Sequence, residues 1–242
     1  MPGVKTVPTD GATAGNTKRA VKDNRRGREP LSRDRIIEAA LHIMDDEGLE
    51  AVTMRRIGRE LGVEAMSLYN HVGDKEDILS GVVEAVMAEF AFPDDESGDW
   101  AERGRAAARA WRQLLLAHPN VITLMSEQRK PVTSLRALRP TEHAIGVLRA
   151  SGLPDDEAVT AFRAFGGFIQ GFVLAEIANM YGGDDTDGQP EDVSAAFPVD
   201  ELPNLAAAFP HLFACDFDAA FEYGLDLMIR GVEAKAAAAT TA

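Results

Sequence analysis

The chain has 242 residues, of which 45% are hydrophobic, and this length and composition can bury one large core or two modest ones. Its single cysteine, Cys215, excludes an intramolecular disulfide framework and a zinc site built on cysteines. The formal net charge of −14 argues at first sight against a nucleic-acid partner, because proteins that bind phosphates are usually basic.

The negative charge is concentrated toward the C-terminus. Residues 1–80 hold 13 Lys and Arg against 14 Asp and Glu, whereas residues 81–242 hold 12 against 25. Residues 1–36 alone hold nine basic and four acidic side chains. The front of the chain is therefore the part that can approach phosphates, and the contrast favours two domains.

Residues 1–30 are rich in Gly, Thr, Lys, Arg, Asp and Pro and have no apolar periodicity, which predicts a disordered basic arm. Its basic side chains cluster at Lys18, Arg19, Lys22, Arg25, Arg26 and Arg28. Two interpretations stay open: a solvated tail, or an arm that follows a DNA backbone or enters the minor groove.

A first helix is expected between Ser32, a good N-cap, and Gly48. The stretch 53–71 then predicts two short helices around a tight turn. Thr53 caps the first of them, Gly62 can take the positive φ that ends it, and Leu68 is the buried position of the second.

The second of these two helices would expose short, polar or aromatic side chains, which suit base edges, thymine methyl groups and phosphates. They are Ala65, Met66, Ser67, Tyr69, Asn70 and His71. A helix-turn-helix is the interpretation we favour, and a plain helical hairpin in a bundle is the alternative.

This stretch resembles the DNA-binding domain of the TetR family of repressors. The shared residues are Thr53, Leu61-Gly62-Val63, and Leu68-Tyr69-Asn70-His71 with Lys75. The resemblance implies an all-α fold, with an N-terminal three-helix DNA-binding domain followed by a larger helical ligand-binding and dimerisation domain. It also implies release from DNA when a small molecule binds.

Further helices follow the motif. Asp74 is a candidate N-cap for a fourth helix that ends near Pro93, and Asp99 opens a fifth. His118-Pro119 breaks the fifth helix, and residues 121–127 form a short sixth.

A seventh helix is expected over about residues 133–150, with Pro140 kinking it or marking its true start. Asp155 is expected to cap an eighth helix over about 155–181, which is apolar on more than one face and so needs a partner. Its glycines, Gly166, Gly167 and Gly171, suggest a close approach of another helix.

Residues 182–204 are expected to form a long loop, either a lid or disordered. A short helix over about 204–213 and a last helix over about 216–235 follow. We therefore divide the chain into an arm (1–30), a DNA-binding domain (31–77), an effector-binding and dimerisation domain (78–236) and a frayed tail (237–242).

The C-terminal pattern resembles the tetracycline-repressor subgroup. The resemblance rests on His118-Pro119, Leu153-Pro154, the glycines of the eighth helix and the run 221–227. It implies a homodimer, in which helices 155–181 and 216–235 of two subunits form a four-helix bundle; this agrees with the surplus apolar face of the eighth helix.

The family motif, placed on this chain, puts DNA contacts on the second, third and fourth helices. They are Arg55, Ala65, Met66, Ser67, Tyr69, His71 and Lys75. Ala65 stands where tetracycline repressors have Gln, and Met66 replaces a Pro, so base recognition is expected to differ. Tyr69 could instead be a packing residue.

An effector cavity is expected between the helices of the larger domain, with an apolar lining and a few polar groups. Its candidate residues are Trp111, His118, Met125, His143, Phe165 and Phe168. We find no match to the His with which tetracycline repressors bind a magnesium–drug complex. The five scattered His residues have no metal-ligand spacing, so neither a metal nor a cofactor is expected.

The sequence thus predicts a cytoplasmic regulator that binds a palindromic operator in double-stranded DNA and an apolar or amphipathic small molecule. No membrane association is expected, because the most apolar stretch, 158–182, is broken by Arg163, Gln170 and Glu176. The alternative is a helical ligand-binding or interaction protein that no longer binds specific DNA. An enzyme is disfavoured, since neither a Gly-rich phosphate loop nor a nucleophile elbow is found.

Overall fold

A computed structural model describes residues 30–92, 98–127, 131–180, 201–212 and 216–240, and every regular element in these ranges is helical. The described residues contain ten α-helices: α1 (Arg33–Glu47), α2 (Met54–Leu61), α3 (Ala65–Leu68), α4 (Lys75–Glu89), α5 (Trp100–Ala117), α6 (Pro119–Glu127), α7 (Leu135–Arg149), α8 (Asp155–Ile177), α9 (Pro203–Leu212) and α10 (Phe217–Thr240). A 3₁₀ helix, Leu49–Ala51, joins α1 to α2. The all-α prediction is confirmed.

Side chains cap the N-termini of the front helices where the sequence predicts them. The hydroxyl of Ser32 accepts from the Arg35 amide at 3.3 Å, and that of Thr53 accepts from Arg56 at 3.2 Å. The Asp74 carboxylate accepts from the Asp77 amide at 2.7 Å. Each contact satisfies an amide that has no partner within its helix, so the starts of α1, α2 and α4 are fixed locally.

Helix α4 packs against both the N-terminal and the C-terminal helices, with contacts to α1 on one side and to α6 and α7 on the other. Its buried side chains Ile78, Val82 and Val86 occupy this shared interior. The predicted boundary at residue 77 therefore falls at the start of a helix that belongs to both parts, and the described residues from Ser32 onward form one compact unit. The domain limits remain a prediction.

The C-terminal helices α5, α6, α8 and α10 enclose the main hydrophobic core of this part of the chain. Its buried members include Leu115, Ile122, Ile169, Val173 and Phe221. A smaller cluster joins the end of α7 and the start of α8 to α10. These helices thus surround a common interior, as the larger of the two predicted parts requires.

Several helix ends differ from the sequence prediction. Helix α7 begins at Leu135 because Ser134 caps it, and Pro140 lies inside the helix without ending it. Helix α8 is capped by Pro154, whose carbonyl accepts from Ala158 at 2.8 Å; the Asp155 carboxylate accepts instead from Arg149. The cap expected at Asp155 is wrong because the helix starts one residue earlier than expected: Asp155 is its first helical residue, and Pro154 occupies the N-cap position.

The C-terminal limits also differ. Helix α8 ends at Ile177 rather than near 181, because Asn179 adopts a left-handed φ of 46° and stops the helix. Helix α10 continues to Thr240, so residues 237–240, expected in a frayed tail, are helical. The predicted arm up to residue 29, most of the loop 182–204, and Cys215 lie outside the described residues.

The glycines of α8 have no close neighbour among the residues that the structure describes. A Cβ added at Gly166, Gly167 or Gly171 would meet no atom within 4 Å. The expected close helix approach is instead found at Gly224 of α10, where a Cβ would lie 2.6 Å from the Phe168 ring. Gly167 and Gly171 therefore lie on an exposed face of α8, whereas Gly166 borders the cavity described below.

Candidate functional site

The turn between α2 and α3 is built for close contact of the two helices. Gly62 takes the left-handed conformation, with φ 63° and ψ 40°, and the Val63 amide donates to the Gly58 carbonyl at 2.8 Å. A Cβ at Gly58 would lie 2.9 Å from the Val63 carbonyl oxygen and 3.2 Å from the Ala65 amide. Only glycine at residue 58 allows α3 to lie this close to α2.

Helix α3 is anchored by one buried side chain and presents large exposed ones. Leu68 is fully buried, whereas Met66 is 72% exposed and Tyr69 is 49% exposed. Tyr69 and His71 follow the last residue of α3 in a turn held by hydrogen bonds to the Leu68 carbonyl. Exposed methionine and tyrosine side chains on a short, rigidly held helix form a surface suited to a partner rather than to solvent.

Neighbouring arginines of α2 have different environments. Arg56 binds Glu47 at 2.6 Å and Glu60 at 2.8 Å, and its hydrogen bond holds the pKa of Glu47 below its usual value. Arg55 is exposed and makes no ion pair with any residue in the described ranges. Arg55, unlike Arg56, therefore has its guanidinium available for an external anion.

The predicted DNA contacts lie on one continuous segment from α2 to the start of α4. Those with exposed side chains are Arg55, Met66, Tyr69, His71 and Lys75. Ala65 and Ser67 are half-buried, and Asn70, which we did not select, is exposed. Tyr69 is about half exposed and lies outside the buried core, and its role in DNA contact stays a prediction.

A cavity of about 200 Å³ lies between α4, α5, α6, α7, α8 and α10. Its aromatic lining consists of Phe90, Phe92, Trp100, Trp111, Phe162 and Phe165. Aliphatic lining residues such as Met87, Met125 and Ile229 complete an apolar wall, and Thr141 and Gln170 add polar groups. Such a lining is typical of a small-molecule site.

The structure places three of the six predicted effector residues on this cavity: Trp111, Met125 and Phe165. The other three are outside its lining. Phe168 packs against Phe172 and Phe221 in the core.

His143 is separated from the cavity by an aromatic ring. Its own ring stacks on Phe92 with centroids 3.8 Å apart, and its Nε2 accepts from Arg103 at 3.3 Å. His118 lies at the corner between α5 and α6, where Nδ1 is 2.8 Å from the Asp45 carboxylate and Nε2 is 3.3 Å from that of Glu89. Neither imidazole is therefore a polar group of the lining.

Sequence reasoning missed Phe90, Phe92, Trp100, Phe162 and Gln170 as lining residues. A usable signal existed for Gln170, because it interrupts an otherwise apolar stretch. Phe90 and Phe92 follow α4, and their position over the cavity depends on how α4 packs against α7, which periodicity does not reveal.

Three arginines of α5 pair with acidic side chains of α10 in register. Arg105 binds Asp226 at 2.7 Å, and Arg109 binds Glu222 at 2.6 Å. These hydrogen bonds hold the pKa values of Glu222 and Asp226 below their usual range.

The third arginine, Arg112, binds Asp218 at 2.6 Å and also Glu176 of α8 at 2.7 Å. It is buried, and its guanidinium lies 4.9 Å from the Phe221 ring centroid. Burial alone would lower the pKa of Arg112, but the hydrogen bonds to Glu176 and Asp218 outweigh it and the pKa is raised. One buried cation thus ties α5 to both α8 and α10.

Within the described ranges, no group of three or more His, Cys, Asp or Glu side chains is arranged to hold a metal ion. The site therefore consists of an exposed helix-turn-helix face and an apolar cavity, joined by α4. Lys75 begins this helix, and Met87 near its end lines the cavity.

Both the N-terminal and the C-terminal part of the chain match known protein families. A family model described as bacterial regulatory proteins of the tetR family matches residues 36–82, and one described as the tetracyclin repressor-like C-terminal domain matches residues 92–236. The transcriptional repressor DrrR1 of Streptomyces coeruleorubidus is 31% identical, over 86% of this chain and 80% of that protein. The class C tetracycline repressor of Escherichia coli is 28% identical, over 84% of this chain and 91% of its own length.

Solved structures show the same similarity. Apo ActR from Streptomyces coelicolor has a TM-score of 0.76 at 31% identity, covering 87% of this chain and 99% of that one. The ActR structure in complex with actinorhodin has a TM-score of 0.75, also at 31% identity, covering 86% of this chain and 99% of that one.

Proposed function

The chain belongs to the TetR family of DNA-binding transcriptional regulators controlled by small-molecule effectors, and we propose that it is a homodimeric, cytoplasmic repressor without catalytic activity. It binds a two-fold symmetric operator and leaves it when an apolar or amphipathic compound enters the cavity. The observation that carries this proposal is the exposed pair Met66 and Tyr69 on a helix anchored by Leu68.

The exposed segment supplies distinct contacts to DNA. Arg55 pairs with guanine or grips a phosphate, while Ser67 and Tyr69 donate to phosphate oxygens. His71 and Lys75 hold the backbone at the start of α4. Ala65 and Met66 offer only apolar groups to the bases, which favours readout of thymine methyl groups.

Dimerisation through α8 and α10 is supported by the surfaces that these helices leave open. Leu174 of α8 is 45% exposed, and Tyr223 and Leu227 of α10 are 70% and 54% exposed. Gly167 and Gly171 lie exposed on α8, and a Cβ at either would meet no atom of the described residues within 4 Å, which permits close approach of a second copy. A four-helix bundle of two subunits would cover all of these residues.

Helix α8 is also long and apolar enough to span a membrane by length and composition, with a mean hydropathy of 1.4 over its most apolar window. Such a helix is weak support for a membrane protein, because core helices of soluble proteins have the same character. Two nitrogens of the Arg112 guanidinium donate to the two carboxylate oxygens of Glu176 in α8, at 2.7 and 2.9 Å. We therefore assign the exposed apolar face to a partner subunit.

The cavity and the DNA-binding face are coupled through α4. Met87 of α4 and the adjacent Phe90 line the cavity, and the same helix starts at Lys75 beside the predicted DNA contacts. A compound that prefers one position of α4 shifts the population toward it and changes the spacing of two recognition helices. Ligand binding that left DNA affinity unchanged would refute this coupling.

An alternative function, a ligand-binding protein without specific DNA binding, is favoured only by the charge of −14 and by the apolar Ala65-Met66 surface. The test is selection of duplexes from a random-sequence pool with the full-length protein, followed by affinity measurements at rising salt. We expect enrichment of a common sequence and a steep salt dependence. The double variant Arg55→Ala, Tyr69→Ala should lose binding.

A matched control is Arg149→Ala, which removes one exposed positive charge from α7, where Arg149 binds Asp155. This variant should retain the wild-type affinity. Equal binding by the double variant, or no enriched sequence with the wild type, would favour the alternative function.

A further inference from the structure

Two carboxylates hold the guanidinium of Arg56. Its Nε donates to both oxygens of Glu47, at 3.0 and 3.3 Å, and its Nη2 donates to the same carboxylate at 2.6 Å. Its Nη1 donates to Glu60 at 2.8 Å. All three nitrogens of the guanidinium are engaged, and one positive charge faces two negative charges. We refer to Glu47, Arg56 and Glu60 as the clamp.

Other contacts already hold α2 in place. Thr53 caps the helix, Ile57 is buried, and the Gly58 carbonyl accepts from the amide of the following turn. The side chains of Glu47 and Glu60 are 43% and 38% exposed, and ion pairs this close to solvent usually contribute little to stability. The main consequence of the clamp is therefore the positive charge that it takes out of use at the surface.

Arg56 lies directly beside the predicted DNA contact Arg55. The two residues are consecutive in the first turn of α2, so their Cα atoms are about 3.8 Å apart. Arg55 is exposed and makes no ion pair with the described residues, whereas Arg56 is fully engaged by the clamp. A phosphate that Arg55 binds is therefore close enough for Arg56 to reach it, or its neighbour, once no carboxylate holds the guanidinium.

The folded segment that carries the recognition helix is acidic. Residues 31–77 contain six Lys and Arg against eleven Asp and Glu. Arg33 is also paired, with Asp77 at 2.9 Å. Affinity for DNA of any sequence grows with the number of cations that can displace counterions from phosphates. This segment therefore keeps the number of such cations small.

We propose that Glu47 and Glu60 keep Arg56 away from DNA and so limit the affinity of the folded domain for the phosphate backbone. This inference rests on the proposed function, because it concerns the strength of DNA binding. Glu47 is the main restraint, since it binds two of the three guanidinium nitrogens. A weaker backbone contact lowers the affinity for every sequence, which reduces the population shift that an effector must produce to release the protein.

The experiment measures the affinity of the full-length protein for two duplexes at rising salt. One is the duplex recovered by selection, and the other has the same length and base composition in scrambled order. The double variant Glu47→Gln, Glu60→Gln removes both negative charges at nearly constant side-chain shape. We expect it to bind both duplexes about three- to tenfold more tightly near 0.1 M salt, with a salt slope steeper by about 0.9, as one added phosphate contact requires.

The gain should be similar for the two duplexes, because phosphate contacts carry no sequence information. A gain confined to the selected duplex would mean that Arg56 contacts bases and would overturn the inference. Weaker binding by the double variant would show that the clamp positions α2 for DNA, which would also overturn it.

A double-mutant cycle separates release of Arg56 from the general loss of repulsion between carboxylates and DNA. The same two Glu→Gln changes are made in an Arg56→Gln background, where no guanidinium is released. We expect the gain in affinity to be at least about threefold smaller in that background, with an unchanged salt slope. Equal gains in the two backgrounds would refute the inference, even if the wild type binds its selected duplex.

Glu50→Gln is the matched control for the loss of one nearby charge. Glu50 is exposed, lies three residues from Glu47 and makes no ion pair within the described ranges. This variant should leave the salt slope unchanged. A slope as steep as that of the double variant would show that the loss of any carboxylate here is sufficient, and would contradict the role of the clamp.

Each Glu→Gln change is also made alone, and thermal unfolding checks that every variant folds. If the double variant does not fold, Glu47→Gln in the two backgrounds gives the same test with a smaller gain. The scrambled duplex needs no operator, so the cycle still decides on the clamp if selection enriches no sequence. That last result would count against the proposed function alone.

Discussion

The imidazole of His118 lies 2.8 Å from the carboxylate of Asp45, and this contact joins the α5–α6 corner to α1. The other ring nitrogen lies 3.3 Å from Glu89 at the end of α4. Asn120 reinforces the junction by donating to the Met44 carbonyl at 2.9 Å. One side chain thus connects the helix-turn-helix part, the connecting helix and the cavity-forming part.

Replacement of this side chain should loosen the junction. His118→Ala removes both contacts and leaves two carboxylates without their shared partner, so we expect a loss of about 1–3 kcal/mol in the free energy of unfolding. Denaturant unfolding measures it. His42→Ala, which breaks a well-exposed pair with Asp46, should change stability by less than about 0.5 kcal/mol. Similar losses in the two variants would contradict a special role for His118.

The turn between α2 and α3 should not tolerate a larger residue at Gly58. Gly58→Ala places a methyl group 2.9 Å from the Val63 carbonyl oxygen, and the backbone must move to relieve the contact. We expect about 1–3 kcal/mol of destabilisation and weaker DNA binding, measured by thermal unfolding and by affinity for a selected duplex.

A matched control lies in the same part of the chain. Gly73→Ala brings its Cβ no closer than 3.9 Å to Asp77, so it should keep both stability and DNA affinity. Wild-type behaviour of Gly58→Ala would show that the two helices do not need this close approach.

Acid should weaken the ladder of ion pairs between α5 and α10. The hydrogen bond from Arg109 lowers the pKa of Glu222 in the folded state. The ion pair therefore stabilises the fold fully at pH values above the pKa that Glu222 has in the unfolded chain. This stabilisation is lost as the pH falls through the lower pKa of the folded state. Glu222→Gln should therefore be less stable than wild type near pH 7, with the difference shrinking toward about pH 3. Unfolding at each pH measures this difference.

The control for this titration is Glu233→Gln on the same helix. Glu233 is exposed and makes no ion pair within the described part of the chain. Its replacement should leave the stability curve close to that of the wild type at every pH. A pH-independent difference for Glu222→Gln would show that the effect comes from packing and not from the ion pair.

The proposed dimer surface predicts a change of assembly state. Leu227→Glu puts a charge on the exposed face of α10 and should convert the dimer to monomers in sedimentation experiments, because a buried unpaired carboxylate is costly. Leu135→Glu alters a leucine of α7 that is even more exposed, at 73%, and should not change the assembly. A dimer that survives Leu227→Glu would place the interface elsewhere.

Local signals explain which parts of the fold were predictable. Ser32, Thr53, Asp74 and Asp99 cap helices because each needs only its own backbone and the next turn. Asp155 is not the cap because it is already the first residue of α8, after Pro154 at the N-cap, and its carboxylate binds Arg149 of α7. The helix-turn-helix was predictable for the same reason as the caps, since its turn depends on residues adjacent in sequence.

The cavity was only partly predictable, because its lining depends on how distant helices pack. Trp111, Met125 and Phe165 lie on the cavity, but His118 and His143 bind Asp45 and Arg103 outside it. The residues next to a histidine in sequence do not indicate which distant residue it contacts in the folded chain. The aromatic pair Phe90 and Phe92 was missed for the same reason.

The most direct test of the account is a footprint of the full-length protein on the duplex recovered by selection, together with the stoichiometry of the complex. Two recognition helices in a symmetric dimer should protect two half-sites related by a two-fold axis, with centres about 34–36 Å apart, and one dimer should occupy the site. A single asymmetric protected site, or no protection at physiological salt, would contradict the claim that this chain is a dimeric operator-binding regulator.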